Sequence, residues 1–149
     1  MNPSTSAPAD VVSLASRLRL VVTRLARRLR QRAEVGITPS QLVALSSIER
    51  AGRITVGDLS QVEGVQPPTM TKIVAALVEA GLVAREPDRD DRRVAWLRVT
   101  PAGARLLERS RSRKDQYLAR RLRGLTPDEL AALERAAEIL NRLVAEEEG

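Results

Sequence analysis

The sequence predicts a mainly α chain (α+β) in which a helix-turn-helix runs into a β-hairpin, and three observations predict it. Threonine-led capping motifs at Thr38, Thr55 and Thr126 mark helix starts, and Gly52, Gly64 and Gly81 mark helix ends. Between Thr55 and Thr100, two short helical patterns broken at Gly64 give way to two short apolar runs. Those runs flank the charged segment Glu86–Arg93. A helix, a turn, a second helix and a hairpin with a basic tip make a shape that fits a DNA duplex.

Composition narrows the chemistry. The chain has 149 residues, 43% hydrophobic and 30% charged, which suits one domain with a sizeable core. Trp96 and Tyr117 stand alone of their kinds and Phe is absent, so the core must come from Leu, Val, Ile and Ala. The net charge of +6 and the pI near 11.0 point to a polyanionic partner. Residues 11–33 hold seven Arg and no acid, whereas residues 126–149 hold seven acids and two Arg. Neither Cys nor His occurs, which removes disulfides, thiol sensing, His acid–base chemistry and His or Cys metal ligation. No enzyme, cofactor or metal is expected. No apolar run is long enough to span a bilayer, and residues 1–10 lack the apolar stretch of a secretory signal. A soluble cytoplasmic protein with a frayed N-terminal tail is expected, with no membrane partner.

Taken in order, a first helix is predicted over Asp10–Ala33, with a stripe of Leu14, Leu18, Val21, Leu25 and Leu29. At roughly 36 Å it is long for this chain, so part of its stripe should meet something beyond its own core. The second helix opens at the box Thr38–Gln41, buries Leu42, Leu45 and Ile48, and stops at Gly52. Arg53–Thr55 is read as an extended link. The box Thr55–Asp58 opens a short helix with Leu59 and Val62 buried, ended by Gly64.

Pro67 and Pro68 are tolerable only in a first helical turn, where backbone N–H groups have no intrahelical partner. The helix 67–80 should therefore bury Met70, Ile73, Val74 and Leu77 and turn Pro68, Lys72 and Ala75 outward, with Thr69, Thr71 and Ala76 beside them. That outer face is small, polar and weakly basic, as close approach to base edges requires. Gln66, Pro68, Thr69, Thr71 and Lys72 are the candidate base-edge and phosphate contacts.

Strands are predicted over Leu82–Arg85 and Val94–Val99, around an eight-residue polar loop, Glu86–Arg93. Thr100-Pro101 caps a long helix to about Arg123 whose middle, Arg109–Lys114, is polar. The box Thr126–Glu129 opens a last helix in which Leu130, Leu133, Ala137, Leu140 and Val144 keep a narrow seam. A solvated acidic tail, Glu146–Glu148, follows.

Three segments carry a family resemblance. Val65–Leu82 has a Pro/Thr-rich start, an apolar stripe and a Gly-Leu end. Asp88–Arg93 has an acid, a spaced second charge and a closing Arg. Leu97-Arg98-Val99-Thr100-Pro101-Ala102-Gly103 forms a strand running into a helix start. Together they resemble the MarR family of bacterial winged helix-turn-helix transcription regulators, and the helix order agrees along the whole chain. The resemblance implies one MarR-type domain over 1–149. A winged DNA-binding region would span 38–100, with the wing at 83–99, and residues 10–33 and 101–147 would form a helical dimerisation region.

It also implies a homodimer on a pseudo-palindromic operator, acting as a repressor. Helix 67–80 would lie in the major groove and wing 86–93 in the minor groove. A small aromatic or anionic ligand could release the DNA. Arg89, Arg92 and Arg93 are the candidate DNA-binding residues of the wing, with Arg89 and Arg92 favoured as groove or phosphate contacts. Arg93, nearer the strand, should pair with Asp88 or Asp91, the acids that order the wing. Asp90 stands where the family often has Arg, which leaves open which wing Arg enters the groove.

Each of these features also has a blander reading. Asp88, Asp90 and Asp91 could suggest a divalent cation, but Arg85, Arg89, Arg92 and Arg93 compete for the same carboxylates. Trp96 reads as an edge packing residue, with a pocket wall as the alternative. The Arg-rich first helix reads as a solvated face that pairs with the acidic last helix across a dimer. The alternative function is a sequence-independent, nucleoid-type DNA binder.

Overall fold

The computed structural model describes residues 7–145, so most of the expected N-terminal tail and the acidic tail Glu146–Glu148 lie outside the described residues. The elements are α1 (Ala7–Arg32), α2 (Pro39–Ala51), β1 (Ile54–Thr55), α3 (Val56–Glu63), α4 (Pro67–Glu79), β2 (Val83–Pro87), β3 (Ala95–Val99), α5 (Pro101–Leu122) and α6 (Pro127–Ala145). The chain falls into two compact units that divide after Lys114, within α5.

In the first unit, helix starts and stops follow local chemistry. Thr38 Oγ1 accepts the Gln41 N–H and the Gln41 side chain accepts the Thr38 N–H, a complete capping box with Pro39 in the first turn. At Thr55 only the forward half forms, from the Asp58 N–H to Thr55 Oγ1. Gly64 ends α3 in the left-handed region at φ 62 and ψ 30, the conformation that costs glycine least.

The core gathers Leu45 and Ile48 of α2, Ile54 of β1 and Leu59 of α3. Met70, Val74 and Leu77 of α4, Val83 and Leu97 of the sheet, and Leu106 and Leu107 of α5 complete it. The sheet is antiparallel in the order β1-β3-β2, with Leu97 opposite both Ile54 and Arg85. At its far side, β3 hands over to α5 through a tight junction. The Thr100 hydroxyl donates to the Gly81 carbonyl at 2.6 Å and accepts the Gly103 N–H at 3.1 Å, while the Thr100 N–H bonds Leu82 O at 3.0 Å. Gly103 is required there, because a Cβ would collide with the Leu82 carbonyl and Val99 Cγ1.

Several expectations are corrected. Helix α1 begins at Ala7 rather than Asp10, since Pro8 fits a first turn. The link Arg53–Thr55 contains a third strand, β1, too short to show periodicity. Strand β2 extends to Pro87, so the wing loop is shorter than expected; a proline is acceptable on this edge strand. Val62 is 63% exposed. Helix α3 instead turns Val56, Leu59, Ser60 and Glu63 inward, the i, i+3, i+4, i+7 face, and the Ser47 hydroxyl holds Glu63. Ile73 and Leu42 are only half-buried. Within the polar middle of α5, Ser110 is buried and Arg111 pairs with Glu49 of α2.

In α1, the stripe Leu14, Leu18, Val21 and Leu25 is exposed. In the second unit, Thr126 and Glu129 form a reciprocal capping box at the start of α6. Leu130, Leu133 and Val144 of that helix are exposed too, and none of its described side chains is buried.

Candidate nucleic-acid interface

Helix α4 is held from behind. Met70, Val74 and Leu77 are at most 1% exposed, so apolar packing against α2 and α3 fixes the helix axis. Its other face is open: Pro68, Thr69, Thr71, Lys72 and Ala75 are all exposed. Gln66 is the N-cap residue, at φ −61 and ψ 138, and its side chain makes no capping bond. The helix start therefore rests on Pro67 and Pro68, which bring no backbone donors of their own, and the Gln66 amide is left exposed. Thr71 differs from its neighbours. Its hydroxyl donates to the Pro67 carbonyl at 2.9 Å, so toward a base it can only accept.

The wing is built from two consecutive turns. In the first, Asp88 Oδ2 accepts the N–H groups of Asp90 at 3.2 Å and Asp91 at 3.1 Å, with Arg89 at the bend. In the second, the Asp91 carbonyl accepts the Val94 N–H at 3.0 Å, with Arg92 and Arg93 at the two central positions. The Asp88 N–H closes the loop onto Val94 O at 2.9 Å. The remaining oxygen of Asp88, Oδ1, takes the indole N–H of Trp96 at 2.8 Å. That bond, and then the two backbone N–H groups, holds the Asp88 carboxyl below the ordinary carboxylate range.

The wing arginines differ in state. Arg93 forms a two-point pair with Asp91, Nε to Oδ1 at 3.0 Å and Nη2 to Oδ2 at 3.1 Å. Arg93 thereby lowers the Asp91 pKa, its backbone N–H adding to the effect. Arg89 and Arg92 are exposed at the bends, and no ion pair engages them among the described residues. Two of the three wing carboxylates, those of Asp88 and Asp91, are already filled by N–H donors.

At the wing base, sequence reasoning missed the role of Trp96 and missed Arg53 altogether. The sequence reads Trp96 as a packing residue, and its indole N–H in fact bonds Asp88. Arg53 lies with its guanidinium 4.2 Å from the centre of the Trp96 ring. Arg53 and Asp88 are 35 positions apart, and only the strand register brings them to one place.

A cleft of about 900 Å³ opens elsewhere in the first unit. Its wall combines Arg27, Arg30, Arg50 and Lys114 with the acidic Glu34 and Glu63 and with apolar residues such as Leu42, Val43 and Val62. No helix among the described residues is long and apolar enough to cross a membrane.

The profile of the MarR family matches residues 37–95, which span α2 through the start of β3. An uncharacterized HTH-type transcriptional regulator of Mycobacterium leprae is 39% identical over 134 residues, 89% of this chain and 94% of the relative. The multiple antibiotic resistance protein MarR of Salmonella typhimurium is 36% identical over 99 residues, 66% of this chain and 69% of that protein. Among solved structures, a mutant MarR from Escherichia coli in complex with operator DNA superposes with a TM-score of 0.60. It is 28% identical, covering 93% of this chain and 99% of that one.

Proposed function

The chain belongs to the MarR family of transcriptional regulators, not enzymes, and on that premise we propose that it is a homodimeric repressor that occupies a pseudo-palindromic DNA operator. Helix α4 enters the major groove with Gln66, Pro68, Thr69, Thr71 and Lys72. The wing enters the flanking minor groove with Arg89 or Arg92, while Asp88 and Asp91 order it and Arg93 is spent on Asp91. The observation that carries this reading is the pairing, on one core, of a braced helix with an open polar face and a hairpin with two unpaired arginines. The operator complex of the E. coli relative supports it.

The homodimer is supported by exposed apolar stripes on α1 and α6, where Val21 is 59% and Leu133 47% exposed. Release by a small anionic ligand is supported by the cleft, where four cationic side chains outnumber the carboxylates of Glu34 and Glu63 and stand beside apolar wall such as Ile37, Leu42, Val43 and Val62, a lining that suits an amphipathic acid. Such a ligand shifts the DNA equilibrium only by its preference for one spacing of the two recognition helices.

Selection of bound fragments from the source genome with the purified protein tests the reading. A recurrent inverted repeat that stays bound in excess nonspecific DNA is the expected result. Binding that vanishes under that competition overturns it in favour of a sequence-independent binder.

A further inference from the structure

Trp96 stands on β3, the central strand, with Thr55 of β1 opposite on one side and Glu86 of β2 on the other. It is the position of β3 nearest the wing that is paired with a strand on both sides. Its neighbour Leu97 points into the core and is fully buried, so Trp96 lies on the opposite face, where the core does not need it. The indole nevertheless has two partners. Its N–H reaches Asp88, whose other oxygen gathers the first wing turn, and its ring carries the Arg53 guanidinium from the α2–β1 link.

We propose that Trp96 is a positioning residue for the wing: clamped between Asp88 and Arg53, it fixes where the wing's free arginines stand relative to helix α4. This inference rests on the DNA-binding reading above. The physical argument is one of rigidity. A hairpin loop of seven residues is otherwise held only by its own turns, and those turns order the tip without anchoring it to anything else. The Trp96–Asp88 bond ties the loop to the strand that is hydrogen-bonded on both sides. The Arg53 stack ties that ring to the end of α2, which packs on α4 through the core. Wing and recognition helix then approach the duplex as one body, and less motion is frozen out on binding. Phe at this position keeps the ring for Arg53 and loses the N–H for Asp88, which separates the two contacts.

The test uses Trp96→Phe and Arg53→Gln in the full chain, with two readouts. Without DNA, trypsin should cut after Arg89 and Arg92 severalfold faster in Trp96→Phe, with cleavage elsewhere and the unfolding midpoint unchanged. On a duplex selected by the wild-type protein, Trp96→Phe should raise Kd by roughly 3–10-fold, the loss of one charge-assisted hydrogen bond at a half-buried site. Backbone protection should fade in the flanking minor groove and persist in the central major groove. Arg53→Gln should shift both readouts the same way by less.

Wild-type cleavage rates at the wing in both variants overturn the clamp whether or not DNA binds. Faster cleavage with an unaltered footprint and Kd overturns the positioning role. If the wild-type protein selects no duplex, the functional reading falls, and the cleavage rates still decide the clamp.

Discussion

Helix α4 and the wing meet the same proposed ligand but are held by opposite physics. The helix is fixed by apolar side chains buried to 1% exposure or less, so its position is set by packing and is indifferent to salt and pH. The wing has a core contact only at its root. Its tip is fixed by carboxylates that accept N–H groups from the backbone, from Arg93 and from Trp96. An interface of this kind combines a rigid reader with an electrostatically ordered one, and the two should fail under different perturbations.

The largest break is on the packed side. Leu77→Ala should destabilise the fold by about 2–5 kcal/mol, seen as an earlier denaturant midpoint, because a fully buried side chain leaves a cavity. Gly103→Ala should cost roughly 1–3 kcal/mol, because the added methyl meets the backbone of Leu82, which has little room to yield. On the wing side, Arg92→Ala should leave the unfolding midpoint within about 0.5 kcal/mol of wild type. It should weaken duplex binding by roughly 1–2 kcal/mol and flatten the salt dependence by about one ion. The same change at Arg93 should weaken binding less, since that side chain is already committed to Asp91.

The smallest effect is on pH. The Asp88 and Asp91 carboxyls are held below their ordinary values, so their contribution to wing order is complete above the ordinary aspartate range. It is lost only as pH falls through their lowered values. Emission from Trp96, the one tryptophan, should therefore stay constant from neutral pH down through that range and change below it. A change in mid-range would contradict the Trp96–Asp88 bond.

What was legible in the sequence was local. The Thr38 and Thr126 boxes, the Gly64 stop and the two-proline start of α4 each depend on residues a few positions apart, and all appear as read. The pairing of Arg93 with a wing acid was legible for the same reason. What was not legible depends on register and rotation. Strand β1 has two residues, and its existence follows from its pairing with Leu97 and Trp96 rather than from any pattern of its own. The turn of α3 that exposes Val62 reflects the capture of Glu63 by Ser47, sixteen positions away. The contacts of Trp96 required both strand partners to be known. Ser110 stands in a polar, Arg-rich run of α5, and nothing in that run marks it as the buried position it is.

The wing also bears on how the protein would find its site. From Asp88 to Arg93 the chain carries three aspartates and three arginines, so the segment has no net charge. Beyond a Debye length, about 8 Å at physiological salt, such a hairpin exerts almost no pull on a phosphate backbone. Capture from solution and sliding along nonspecific duplex then fall to the excess of positive charge elsewhere, notably the arginines of α1. The wing acts once the two surfaces touch, so charge-conserving substitutions there, such as Arg92→Lys, should change residence on the operator while leaving the rate of arrival unchanged.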